Sequence, residues 1–216
     1  MGRGYLQRMF TDPVQDLQEH HGSRTLCDRL ARTRKDDGVL GQAEIRLIQT
    51  IESVFIGTTS KSGWPYVQHR GGPPGFLKVI DNSLIAFPVF HGNQQYLTSG
   101  NLRDDCRISL IMLDYATGRR LKLIGYAEDI DAAMAPRWVE KVRPDAYPSS
   151  ITRVTLIHVV ASDWNCAGHI PHLYPARDVD QTIEKLRAEI DSLKAQLASH
   201  VSSSSGSPPT FEAGLA

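Results

Sequence analysis

Apolar and polar positions change rhythm twice along this chain. Between residues 13 and 34 the apolar positions Val14, Leu17, Leu26 and Leu30 recur at helical spacing, with Asp12 placed to cap and Pro13 suited to the first helical position. Gly22 interrupts the run, so two short helices are as compatible with it as one. A further helix is expected from about Gln42 to Glu52, where Ile45, Ile48 and Ile51 share a face. At Ser53 the texture becomes β-like. Short runs rich in β-branched and aromatic residues read as strands at 53–59, 65–70, 76–81, 84–89, 107–114, 120–130 and 151–162. Ser62-Gly63, Gly71 to Gly75, Asp81-Asn82 and Thr117-Gly118 mark turns between them. Several gaps are too short for a helical crossover, so the sheet is expected to be mainly antiparallel. A small closed or partly closed barrel is the economical way to bury so many short strands. Helical inserts are expected near 94–103 and 131–142.

The last rhythm is a heptad. Val179, Ile183, Leu186, Ile190, Leu193 and Leu197 alternate spacings of four and three, which puts Ile at a and Leu at d. Glu189 then falls at g and Lys194 at the following e, spaced for an interchain pair. The same pattern fits an amphipathic helix lying on its own barrel, and the repeat spans fewer than three full heptads. The serine-rich stretch after His200 has the composition of a disordered tail. The expected organisation is therefore an N-terminal helical segment (1–52), a β domain (53–174), a C-terminal helix (175–201) and a tail (202–216).

Composition narrows the function classes. At 216 residues and 41% apolar content the chain can bury one sizeable core. Twenty-four basic residues balance twenty-four acidic ones, which argues against a nucleic-acid or membrane-surface protein. Three widely spaced cysteines, Cys27, Cys106 and Cys166, without a CxxC pair, favour a reducing compartment over a disulfide framework or zinc site. No apolar run reaches the roughly 18 residues of a membrane span, and residues 1–10 lack a signal-peptide core, so a cytoplasmic location is expected.

Charge is unevenly placed. Ser60 to Ile80, Pro88 to Arg103 and Tyr115 to Ala127 contain no acid, yet the first carries Lys61, His69, Arg70 and Lys78 and the third Arg119, Arg120 and Lys122. Donor-rich, acid-free stretches in a neutral protein point to an anion pocket, with phosphate as the usual ligand, against the alternative of solvated strands. The turn Arg70 to Gly75 (RGGPPG) lacks the ending of a P-loop; it is either a structural turn or a close backbone approach to a ligand. The segment His91 to Asp105 concentrates Asn93, Gln94, Gln95, Tyr96, Thr98, Ser99 and Asn101, either as a solvated loop or as a binder of phosphate and polyol. The pair His169 and His172 flanks Pro171 without a neighbouring carboxylate, which makes a poor metal site, and Cys166 reads as a packing cysteine.

The block Phe55 to Pro88, with HGNQQYLTSGNL (from His91) and Met112 to Ile130, resembles the pyridoxamine 5′-phosphate oxidase-like FMN-binding proteins. Ser162 to Ile170 is similar to the closing strand of one subgroup, and the resemblance covers about Asp12 to His172. It implies a mainly β (α+β) protein: an antiparallel split β-barrel, here with N-terminal helices and the C-terminal heptad helix. It also implies a homodimer with FMN at the interface. By position, Lys78 in FLK matches the basic residue that binds the FMN phosphate, and Phe87 and Pro88 match the strand that offers backbone contacts. Asn93, Gln94 and Gln95 stand where relatives carry a Ser-Arg-Lys turn, with both basic residues replaced by amides; Arg70 is placed to compensate. Gln68 and His69 match the strand running past the ring, and Ser99 and Asn101 the polar segment after the turn. Arg120, with Lys122 beside it, matches a polar residue contributed by the partner subunit. The C-terminal Arg-Leu-His-Asp-Arg-type motif of the true oxidase is missing, which disfavours pyridoxamine phosphate as substrate.

The resulting expectation is an FMN-dependent oxidoreductase of unassigned substrate, with NAD(P)H as a possible donor, no catalytic side chain singled out and no metal. The competing expectation is a non-enzymatic flavin-binding sensor or carrier module. A deazaflavin or haem in the same pocket is the third.

Overall fold

The computed structural model describes residues 4–33, 38–145, 147–165 and 168–204. Cys166 and residues 205–216 of the tail lie outside the described residues, so the readings made for them are not followed further. Residues 1–171 form one compact unit and 172–216 a second.

The first unit begins with three short helices, α1 (Tyr5–Met9), α2 (Asp12–His20) and α3 (Arg24–Thr33). Gly22, in the left-handed region at φ 71°, separates α2 from α3. Thr11 is the N-cap of α2, and Asp12, expected there, is the first helical residue beside Pro13. The helix α1 has no counterpart in the apolar pattern; its Tyr5 is 8% exposed. Next, α4 (Gln42–Thr50) buries Leu47 and Ile48, each worth roughly 1.5–3 kcal/mol on burial, and Ile51 just past its end joins the same core. α4 is thus part of the core that the sheet surrounds, whereas α2 and α3 bury no residue.

Seven strands follow: β1 (Ser53–Thr59), β2 (Pro65–Gly71), β3 (Lys78–Val79), β4 (Leu84–Phe90), β5 (Arg107–Asp114), β6 (Arg119–Asp131) and β7 (Ile151–Asn165). They form one antiparallel sheet in the order β2-β1-β5-β6-β7-β4-β3. The sheet curls into a split barrel, as expected. Val54 and Ile56 of β1, Ile85 and Phe87 of β4, Leu110 and Met112 of β5, Leu121 and Leu123 of β6 and Ile157 of β7 all meet in one core. Along β1, β5 and β6 they alternate with less buried residues, the period-two pattern of a half-buried sheet.

The strand expected at 76–81 is only two residues long. Phe76 and Leu77 are 1% and 0% exposed, so they plug the core as loop residues and are not free to extend a ladder. As a result β3 pairs only with Ala86 and Ile85, and among the described residues the edge of β4 beyond them carries no strand on that side. Pro88, which cannot donate to a ladder, sits on that stretch. Two inserts decorate the sheet: α5 (Leu97–Asp104) between β4 and β5, and α6 (Pro136–Val142) after a 3-10 turn at Ala132–Met134. Val142 of α6 packs on Ala86, Val154 and Leu156, so β4 and β7 are buried on both faces there. A β-bulge between Ile124 and Gly125 bends β6 against β7, and Gly38 packs over the same place.

The second unit is one helix, α7 (Ala176–Ser204), preceded by irregular chain.

Candidate binding site

Strand period divides the expected site residues before any cavity is considered. On β2, Tyr66, Gln68 and Arg70 are half-buried while Val67 and His69 are exposed. Gln68 and Arg70 therefore share a face, and His69 points to the other. There it meets Ser53 Oγ at 2.9 Å and packs on the Phe55 ring at 5.5 Å.

Tyr66, Gln68 and Arg70 form one wall of a small cavity of about 50 Å³. The remaining walls are Val89 and Phe90 at the end of β4, the loop 91–96, Leu97 and Ser99 of α5, and Thr152 of β7. Three separate stretches of chain, 66–70, 89–99 and Thr152, meet here because closing the barrel brings β2 near the uncovered end of β4. The loop is held in an unusual conformation: Gln94 and Tyr96 both have φ in the left-handed region, 56° and 53°. An Asx turn, in which Gln95 N–H donates to Asn93 Oδ1 at 3.3 Å, organises it. Tyr96 is the N-cap of α5, so the first turn of that helix borders the cavity. Gln68 is oriented by Thr98, whose hydroxyl donates to Gln68 Oε1 at 2.5 Å and leaves the amide N–H groups as donors.

Among the described residues no aspartate or glutamate lines this cavity. Arg70 supplies its positive charge, and its Nε is buried without a hydrogen-bond partner among the described residues. Burial pulls the Arg70 guanidinium below its ordinary pKa range, while Asp129 and Tyr66 pull it back. Asp129 is otherwise engaged: Arg153 Nε donates to it at 2.5 Å and Thr155 Oγ1 at 2.9 Å. A second cavity of about 360 Å³ shares Tyr96, Ser99 and Thr152 with the first and adds Arg103, Arg153 and Asp131.

The three acid-free stretches do not converge on one pocket. Of their cations, Arg70 lines the first cavity and Arg103 the second. Lys122, on the outer face of β6, pairs with the buried Asp163 at 3.3 Å and lies 4.7 Å from the Tyr5 ring. Arg119 stacks on Trp164 at 4.2 Å, and the indole N–H of Trp164 donates to Glu44. Arg120 shares the outer face with Lys122, away from both cavities. Lys78 is half-buried on β3 and lines none of them. Phe87 is 1% exposed inside the barrel, so only its main chain is offered to a ligand, as for Pro88. Asn101 turns inward, its Nδ2 donating to Thr58 at 3.0 Å, and ties α5 to β1. Of the expected residues, Gln68, Arg70, Asn93, Gln94, Gln95 and Ser99 come together.

Sequence reasoning missed Tyr66, Thr152 and Arg103, whereas Tyr96 stood in the amide-rich cluster it singled out. Tyr66 was within reach, because period two places it beside Gln68 and Arg70. Thr152 was not, because nothing local joins it to residues about 60 positions earlier.

A larger groove of about 620 Å³ lies on the opposite face of the sheet, along β1, β2, β5 and β6, with Arg8 and Met9 at its rim. Val67 and Tyr126, which line it, are 67% and 48% exposed. Among the described residues no group of three or more His, Cys, Asp or Glu side chains is arranged to hold a metal ion. No helix among them is long and apolar enough to cross a membrane.

No family model matches the chain, and no curated protein matches its sequence. Solved structures do resemble it. HupZ of Group A Streptococcus is 19% identical over 57% of this chain and 91% of its own, with a TM-score of 0.42. A Clostridium acetobutylicum protein related to general stress protein 26, of the pyridoxinephosphate oxidase family, is 14% identical over 59% and 87%, with a TM-score of 0.42. A Mesorhizobium loti FAD-binding protein is 13% identical over 58% and 94%, with a TM-score of 0.37.

Proposed function

We propose that this chain is a pyridoxamine-phosphate-oxidase-like flavoprotein that binds FMN as a homodimer and works as a cytoplasmic oxidoreductase. The observation that carries the reading is Arg70, whose buried Nε has no partner among the described residues and whose side chain lines a cavity walled by amides and a hydroxyl, with no acid among its described lining residues. An N–H left in that state costs about 1–3 kcal/mol, and an anionic oxygen removes the cost. The donor set fits a phosphate monoester and the polyol next to it. Arg70 supplies the charge; Gln68, Asn93, Gln94, Gln95 and Ser99 supply neutral hydrogen bonds. The uncovered edge of β4 at Phe87 and Pro88 offers main-chain groups beside them.

Size supports the dimer. A cavity of about 50 Å³ holds little more than a phosphate, whereas ligand pockets run to about 300–1,000 Å³. The rest of the site must come from outside this cavity, and a second copy of the chain is the proposed source. Lys78, His69, Arg120 and Lys122 belong to the proposed site only through that copy or through main-chain rearrangement around the cofactor. When bound, FMN supplies hydride and electron transfer; the protein supplies binding, orientation and polarity.

The test is a visible spectrum of the purified protein and a fluorescence titration with FMN. The expected result is a flavin spectrum with about one FMN per chain, bleached by NAD(P)H and restored when an acceptor re-oxidises the flavin. A flavin that binds and is not turned over by any donor would favour the sensor or carrier reading. A colourless protein that leaves FMN fluorescence unchanged would overturn the proposal.

A further inference from the structure

The helix α7 runs unbroken from Ala176 to Ser204, about 43 Å at 1.5 Å per residue. Its apolar seam is uncovered. Val179, Ile183, Leu186, Ile190, Leu193 and Leu197 are between 41% and 66% exposed. The positions flanking the seam are polar on both sides: Asp180, Arg187 and Lys194 at e, Thr182, Glu189 and Gln196 at g. A stripe confined to a and d is the seam of a coiled coil, narrower than the stripe of a helix lying on a globular core. We propose that α7 pairs in parallel and in register with α7 of a second copy of this chain, with the direction set by Glu189 and Lys194.

Side-chain shape and charge give the same answer. Ile183 and Ile190 at a, with Leu186 and Leu193 at d, are the combination that favours two parallel strands. In that arrangement Glu189 of each helix faces Lys194 of the other, giving two attractive pairs by symmetry. The antiparallel register that keeps the layers filled sets Ile190 against Leu186, Ile183 against Leu193 and Val179 against Leu197. It also sets Glu189 against Glu189 and Arg187 against Arg187, like charges at the centre of the pair, with Asp180 against Lys194 nearer the ends. The repeat is short, so pairing gains most where the two chains are already held together and the second contact is intramolecular. The inference does not depend on flavin binding.

Disulfide cross-linking in the full chain tests it. Leu193→Cys places two thiols opposite each other in the parallel pair, within the separation a disulfide spans. Ala195→Cys, at the outward f position, does not. Under mild oxidation the Leu193→Cys chain is expected to form a cross-linked dimer several-fold above both Ala195→Cys and the unsubstituted chain, which carries Cys27, Cys106 and Cys166. Adding Glu189→Lys should lower the yield several-fold, and adding Lys194→Glu as well should restore it. No excess cross-linking at residue 193 would overturn the proposal. So would efficient mixed disulfides between Leu193→Cys and Ile183→Cys chains, the antiparallel signature.

Discussion

Replacing Arg70 with methionine should move stability and ligand affinity in opposite directions. The side chain carries a buried Nε without a partner, a state that costs about 1–3 kcal/mol in the unliganded protein. Methionine keeps much of the volume and removes that polar atom. The attraction to Asp129 is lost, but Asp129 is not orphaned, because Arg153 at 2.5 Å and Thr155 at 2.9 Å still hold it. The two effects partly cancel, so the unliganded Arg70→Met protein should be between unchanged and about 1 kcal/mol more stable. In a protein of this size that is a rise of up to about 4 °C in thermal midpoint. Affinity for FMN should fall by roughly 1.5–3 kcal/mol, about ten- to a hundredfold, the worth of a charge-assisted hydrogen bond. Riboflavin, which lacks the phosphate, should lose much less. The guanidinium stays protonated at all working pH values, so no pH change should mimic the substitution. Thermal unfolding without ligand and fluorescence titration with both flavins measure the two arms. A variant destabilised by more than about 1 kcal/mol, with both flavins bound as before, would make Arg70 a structural strut and refute the reasoning.

Three further outcomes follow from local geometry. A Cβ on Gly125 would lie 2.4 Å from the carbonyl oxygen of His158, at the bulge between β6 and β7. Gly125→Ala should therefore cost about 1–3 kcal/mol in chemical denaturation, and a neutral result would show that the bulge yields. Asp129→Ala strips the 13%-exposed Arg153 of its main charged partner, leaving the main-chain carbonyl of residue 129 at 2.8 Å and Asp131 at 3.4 Å; the expected loss is about 3 kcal/mol, and a loss below about 1 would deny the pair its role. The hydrogen bonds from Arg107 hold the Asp105 carboxyl down at about 2. A depressed folded-state pKa means the interaction is fully present above the ordinary value of 3.8 and is lost as pH falls toward about 2. NMR titration should place the midpoint there, Arg107→Ala should return it toward 3.8, and an unmoved midpoint would reject the cause.

Much of the fold was legible because strands and helices declare themselves by local period. The alternation Val54, Ile56, Thr58 marks β1, Gly22 marks the break between α2 and α3, and the 3-4 repeat after residue 178 marks α7. Where tertiary packing outbid local preference, the reading failed. Phe76 and Leu77 look like the start of a strand but fill the barrel core, and β3 shrinks to two residues.

The site divides along the same line. The sequence by itself set the donor types, the amide-rich loop after β4 and the acid-free texture around Arg70, because these are properties of neighbouring residues. Only the tertiary structure decided which of them meet. The curl of the sheet brings β2, the end of β4, α5 and Thr152 around one cavity, and it turns His69 and Arg120 elsewhere. It also brings acids to bases that had none nearby in the chain, Asp163 to Lys122 across β6 and β7 and Asp104 to Lys61. Charge in a sequence is counted along a line, whereas charge in a pocket depends on which strand edges close on one another. That closure is set by contacts between residues far apart in the chain, which no local pattern records.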